Sequence, residues 1–284
     1  MAKTLTLKAP AKLNLFLDIL GLLPDGFHSL FMLMQTVSLC DDVTITLCNS
    51  GIKLTCSIQD LPIDSRNIAY RAAQAFFAEA EIKGGAEIHI EKRIPFEAGL
   101  GGGSADAAAV LLGLNQLHDN ILPPLRLAKL ALQLGSDVPF ALTGGSAIAL
   151  NKGEILAPLP PLPKRFCVII KPNCGVSTPA AYKTYDELEV RWRPDIVALT
   201  AAASHADWAG ICQCAANVFE QCVEVPNRAE YKAIMREHGA AMAQMTGSGS
   251  AVFGIFEDEL NAKKAMATLK KADCTAEVFV CETL

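Results

Sequence analysis

Polar and apolar residues alternate over Thr4 to Lys8, with Leu5 and Leu7 on one face and Thr4, Thr6 and Lys8 on the other. A period of two predicts a half-buried strand. Pro10 is expected to interrupt it, because proline has no N–H to give to a ladder. Alternation resumes at Leu13, Leu15 and Leu17, which puts Lys12, Asn14 and Phe16 together on the opposite face. A lysine beside an asparagine in an otherwise apolar strand needs an explanation. Pro24-Asp25-Gly26 reads as a turn. Alternation returns at Val43, Ile45 and Leu47, near Ile52 and Leu54, and at Ile88 and Ile90. An alanine-rich helix is predicted after Asn67, through Ala80. The stretch from Ala107 to Leu117 is another strong helix former. Leu125 to Leu134 is amphipathic, with Leu127, Leu130, Ala131 and Leu134 on one face, and Gly135 stands where a helix ends. Ser136 is expected to cap a short helix with Asp137 in its first turn and Pro139 close behind.

Ala157 to Pro163 reads Ala-Pro-Leu-Pro-Pro-Leu-Pro, proline-rich and uncharged, as a linker would be. It predicts two domains, 1–157 and 164–284. The second opens on a strand from Phe166 to Ile170. Helical patterns start at Asp207 and Asn227, and a strand pair flanks Thr246-Gly247-Ser248-Gly249. A helix from Asp258 to Lys271 and a strand from Ala276 to Cys281 follow. Strand, helices, two strands, helix, strand is the order of an α+β split-βαβ domain.

Composition narrows the function classes. The chain has 284 residues, 51% hydrophobic and 19% charged, which excludes a disordered chain. A net charge of -5 argues against a nucleic-acid partner, whose binders carry a basic field, but leaves an anionic small molecule open. The 10 cysteines form no Cys-x-x-Cys pair, and Cys212 and Cys214 have neither zinc nor thioredoxin spacing. Reduced thiols in a cytoplasmic protein are the expectation. The N-terminus lacks an apolar signal core, and no segment approaches the ~18 apolar residues of a membrane span. His89, His118, His205 and His238 lack ligand spacing and are read as structural or exposed.

The chemistry concentrates at Gly99-Leu100-Gly101-Gly102-Gly103-Ser104, which runs into a helix. Glycines let the backbone approach an anion, and the free amides and dipole of a helix start favour phosphate. Ser104 would be the helix N-cap or a direct phosphate or metal ligand. No Gly-Lys-Ser/Thr triplet follows, so a Walker loop is disfavoured. Ser104 stands where a dinucleotide fingerprint needs its third glycine. Neither His-Arg-Asp nor Asp-Phe-Gly is present, so a protein kinase is disfavoured too.

Pro95 through Ala105 resembles the phosphate loop of the GHMP small-molecule kinases. Pro10-Ala11-Lys12-Leu13-Asn14-Leu15, Asp25-Gly26-Phe27-His28, Leu134-Gly135-Ser136-Asp137-Val138-Pro139-Phe140 and Thr246-Gly247-Ser248-Gly249-Ser250 extend the resemblance, in the family's order, over nearly the whole chain. It implies an α+β, two-domain GHMP kinase fold. The N-terminal domain would be ribosomal-S5-like with a left-handed crossover, and the C-terminal domain ferredoxin-like. ATP would lie on the loop from Pro95 through Gly99, Leu100, Gly101, Gly102 and Gly103 to Ser104. Mg²⁺ would bridge phosphate oxygens, and the acceptor would sit in a cleft.

The resemblance implies further that Asp137 is the catalytic base and Lys12 its electrostatic partner. Residue chemistry agrees, since phosphoryl transfer asks mostly for positioning and charge stabilisation. The bland readings are a helix cap for Asp137 and a solvated strand residue for Lys12. The resemblance points to a cytidine diphosphate-linked methylerythritol as the acceptor. His28 would hold the cytosine edge, Phe27 would stack where the family has tyrosine, and Tyr182 would supply the opposite face. Asn14 would contact substrate, and Asn67 would be the adenine-side asparagine or a helix N-cap. Thr246 and Gly247 would close on the substrate phosphates or simply form a turn. The family carries a basic residue just before Pro24, where this chain has Leu22 and Leu23. Other expectations are a homoserine, mevalonate or sugar kinase, or a non-catalytic nucleotide or metabolite sensor.

Overall fold

A computed structural model describes residues 3–188 and 192–284. It opens on two long strands, β1 (Thr4–Leu22) and β2 (His28–Cys48). Pro10 does not interrupt β1. Backbone N–H groups two residues apart leave a strand on the same side, so Pro10 shares the side used by Lys12, Asn14 and Phe16. On that side, among the described residues, only Phe16 and Leu17 of β1 pair with another strand. The missing proton of Pro10 therefore costs no ladder bond.

The chain forms two compact units, each assembled from three segments. The first takes the chain up to Ala11, Cys40–Ile94 and Gly101–Gly144. It contains β3 (Gly51–Cys56), α1 (Ile68–Ala80), β4 (Gly85–Glu91), α2 (Gly102–Leu117), α3 (Pro124–Leu134) and α4 (Val138–Thr143). β4 pairs parallel to β3 and antiparallel to the Asp42–Cys48 part of β2. α1 and α2 pack together through small buried residues, Ala69, Ala72 and Ala73 on one and Ala105, Ala107, Ala108 and Ala109 on the other. Gly113 lets α2 approach the sheet, since a Cβ there would meet Ile45 Cδ1 at 2.5 Å and Leu7 Cδ1 at 2.7 Å. The apolar face predicted for α3 is its buried face.

The second unit takes Lys12–Leu39, Pro95–Leu100 and Gly145–Leu284. β5 (Ser146–Asn151) joins β2 and β6 (Ile155–Pro158). A separate sheet holds β7 (Phe166–Lys171). Helices α5 (Thr178–Glu187), α6 (Ile196–Ser204) and α7 (Trp208–Cys214) follow, then the short β8 (Ala216–Asn217) beside β1. The chain ends with α8 (Arg228–Glu237), β9 (Met242–Met245), β10 (Val252–Phe256), α9 (Glu259–Ala272) and β11 (Glu277–Glu282). The order β11-β7-β10-β9, antiparallel throughout, is the split-βαβ arrangement expected of the C-terminal half. α8 and α9 cover it with Tyr231, Met235, Ala262, Ala265 and Leu269 packed on Val168, Ile170, Val252 and Phe256.

Candidate active site

In the second unit the open side of β1 is where the predicted residues gather. The Lys12 backbone N–H donates to Leu100 O at 3.0 Å, and the Asn14 N–H donates to Thr246 Oγ1 at 3.0 Å. Gln244 adds bonds to the Asn14 and Leu15 carbonyls. At Lys12 and Asn14 the strand edge is thus paired with the glycine segment and with the turn between β9 and β10, ahead of its short pairing with β8. Lys12 is 8% exposed, and its Nζ donates to Asn14 Oδ1 at 2.6 Å. Their shared face, read from alternation, is real.

Gly99 has a φ of 73°, and a Cβ there would overlap the Thr246 carbonyl oxygen. Gly247 has a φ of 56°, and its Cβ would lie 3.2 Å from Gly99 Cα and 3.4 Å from Lys12 Nζ. Only glycine suits both positions. The Ala251 N–H closes the contact by donating to Ala98 O at 3.2 Å. Lys12, Asn14, Gly99, Leu100, Thr246 and Gly247 therefore form one neighbourhood, with Pro95 buried at the start of the glycine segment.

The rest of the loop belongs to the first unit. Gly101 is the N-cap of α2 with a φ of 70°, and the helix proper starts at Gly102. Ser104 is therefore not the N-cap. The left-handed backbone open to glycine turns the chain three residues earlier, and Ser104 falls in the first turn. The first amides of this 16-residue helix have no intrahelical acceptor, which makes its start suited to phosphate.

Asp137, not Ser136, is the N-cap of α4, and it makes no side-chain capping bond. Its φ of -87° and ψ of -11° are already helical, whereas a capping side chain folds back from extended backbone. Asn67 caps α1, accepting from the Ala69 N–H at 2.9 Å while its Nδ2 donates to Pro62 O. Ile68 links these positions. A Cβ at Gly103 would touch its Cγ2 at 3.5 Å, and one at Gly135 its Cδ1 at 3.4 Å. Asn67, the start of α2 and the segment before Asp137 are thus neighbours.

Lys92, which pattern reading missed, lies beneath the loop. Its Nζ pairs with Asp41 and with Asp106, the latter at 2.8 Å, and would be 3.3 Å from a Cβ at Gly102. All three side chains are buried. Burial pulls Lys92 down, but the two carboxylates outweigh it and hold the ammonium above the ordinary lysine range. Asp106 is pushed up to about 7, first by burial and further by the Asp41 charge, against the pull of Lys92. Its Oδ1 has no hydrogen-bond partner among the described residues.

Also in the second unit, His28 Nε2 lies 2.7 Å from Asp186 Oδ1. The ring stacks on Tyr182 at 4.6 Å and 20°. Tyr182 thus faces His28 itself. Phe27 is 61% exposed, and Lys152 Nζ sits 4.2 Å over its ring while pairing with Asp25. Lys152, between β5 and β6, thus brings a basic group to the turn that follows Leu22 and Leu23. That bond from Lys152 holds the Asp25 carboxyl below its usual range.

A family model described as the GHMP kinase N-terminal domain matches residues 67–145, and one for the GHMP kinase C-terminal domain matches residues 201–273. The chain belongs to the GHMP kinase family. It is 43% identical over 265 residues to the 4-diphosphocytidyl-2-C-methyl-D-erythritol kinase of Exiguobacterium sibiricum, across 92% of each chain. A crystal structure of 4-(cytidine 5'-diphospho)-2C-methyl-D-erythritol kinase superposes with a TM-score of 0.79 at 34% identity, covering 98% of this chain and 99% of that one. The homoserine kinase of Cytophaga hutchinsonii superposes at 0.77 with 21% identity, over 99% and 94%, which shows the shared fold alone.

The chain is therefore an ATP-dependent small-molecule kinase, a phosphotransferase. Such chemistry needs groups that cradle anionic phosphates and cations that offset charge moving to the acceptor. Among the described residues no helix is long and apolar enough to cross a membrane.

Proposed function

We propose that this kinase transfers the γ-phosphoryl group of ATP to the 2-hydroxyl of 4-diphosphocytidyl-2-C-methyl-D-erythritol, a step of non-mevalonate isoprenoid biosynthesis in the cytoplasm. The observation that carries it is the 43% identity over nine tenths of the chain to a kinase of that name. The site adds chemical support. Asp137, at the start of α4, receives the acceptor proton as general base. Lys12 stabilises the developing alkoxide and the migrating phosphoryl charge. Pro95, Gly99, Leu100, Gly101, Gly102, Gly103 and Ser104 hold the ATP phosphates, with Asn67 on the adenine side. Asn14, Thr246 and Gly247 contact the substrate.

Mg²⁺ fits this donor set, because it keeps phosphate oxygens and waters and asks few protein ligands. When bound it neutralises phosphate charge. Phe27, His28 and Tyr182 take the cytosine, and a base reaching the Tyr182 face has to part the stack with His28. The matched family models fall on either side of 158–163, which supports dividing the chain into an ATP-binding part, 1–157, and a substrate-side part, 164–284. Measuring ADP release with Mg-ATP and the cytidyl substrate tests the reading. Turnover with homoserine, mevalonate or a sugar, and none with the cytidyl compound, overturns it.

A further inference from the structure

The His28 ring is constrained on several sides. Its Nε2 faces Asp186 Oδ1 at 2.7 Å, Tyr182 covers one face at 4.6 Å, and Tyr185 meets it edge-on at 6.4 Å. Both tyrosines abut Phe219 edge-on, at 5.0 and 6.2 Å. Tyr182, Tyr185 and Asp186 all come from α5, where spacings of three and four residues put side chains on one face. With or without the Tyr182 stack, rotating or flipping the imidazole would break its hydrogen bond to Asp186. The histidine side chain is 10% exposed and the aspartate 52% exposed, so the carboxylate stays solvated while the ring is enclosed.

A neutral imidazole has one donor nitrogen and one acceptor nitrogen. A carboxylate only accepts, so the nitrogen facing it carries the hydrogen. Here that nitrogen is Nε2, which leaves the lone pair on Nδ1. Cytosine presents an amino donor where uracil presents a carbonyl acceptor. An Nδ1 lone pair matches the amino group and repels the carbonyl.

We propose that Asp186 is a positioning residue that holds His28 as the Nε2–H tautomer and thereby makes the substrate site select cytosine over uracil. The proposal rests on the cytidyl reading above and adds the residue that sets the choice of base. Asp186 acts through His28 and need not touch the substrate.

Two measurements on the full chain test it. In the first, CMP and UMP compete with the cytidyl substrate in the ADP-release assay. The wild-type protein is expected to favour CMP by about tenfold or more. Asp186→Ala collapses that ratio toward one, with the loss carried by KM more than by kcat. Asp186→Asn, whose amide oxygen still accepts, keeps part of the preference. In the second, ¹⁵N spectra of the His28 ring show a protonated Nε2 and an unprotonated Nδ1 in the wild type, and a mixture in Asp186→Ala. Matched melting temperatures show that the variants are folded.

An unchanged CMP-to-UMP ratio in Asp186→Ala overturns the proposal and leaves the cytidyl reading intact. So does a wild-type ring protonated on Nδ1 or on both nitrogens. A wild-type protein indifferent to both nucleotides overturns the cytidyl reading, and base selection with it.

Discussion

Asp137 is the residue on which turnover is expected to depend most. Asp137→Asn keeps the shape of the side chain but cannot take a proton, so kcat falls by about 10²–10⁴ while ATP still binds. Single-turnover kinetics beside nucleotide titration check this, and near-normal turnover removes Asp137 from the mechanism. Asp106 is a different case, with a consequence for stability. Its carboxyl titrates near 3.9 in an unfolded chain and at about 7 in the folded one. The folded state therefore keeps a proton that the unfolded state has lost, and stability from this group is full below about pH 4 and declines up to about pH 7. Asp106→Asn abolishes that decline. The melting temperature of the variant minus that of the wild type should rise across this window, and a flat difference refutes the assignment. Asp106 could not be picked out from its neighbours in the chain, because Lys92 lies 14 residues away and Asp41 lies 51 residues from Lys92. Asp186 was hidden in the same way, 158 residues from His28.

At the scale of elements, the glycine segment is held by close packing against the turn between β9 and β10. Gly99→Ala forces a Cβ into the Thr246 carbonyl at a backbone angle that disfavours any side chain. A loss of about 1–3 kcal/mol is expected, read as a fall of several degrees in melting temperature together with reduced kcat/KM. Retained stability and activity would show that the turn yields freely. Element positions were largely legible. Asn67 and Asp258 cap their helices through their side chains, and the apolar faces of α3 and of the first residues of β1 follow their periodicity, whereas β1 from Ala11 to Ile19 is buried on both faces. Pro10 and Ser104 went otherwise for one reason. A strand survives a proline, and a helix starts early, when the backbone group concerned faces away from the ladder or falls on glycine. Neither circumstance is visible along the chain.

At the scale of the whole molecule, nucleotide binding should stabilise the fold by mass action. A ligand at 100 times its Kd adds about 2.7 kcal/mol, so Mg-ATP should raise the melting temperature in proportion to the logarithm of its concentration. A melting temperature indifferent to Mg-ATP contradicts binding to the folded state. The sequence by itself determined much of the element order, though not β5, β6, α5 or α6, together with the α+β class, the glycine segment and the lysine–asparagine face, because periodicity and turn chemistry act over a few residues. Only the tertiary structure decided which carboxylates surround Lys92, which loops occupy the open side of β1 and which acid faces His28. Those pairings join residues 14 to 232 positions apart, and chain order carries no record of which distant groups packing brings within hydrogen-bond reach.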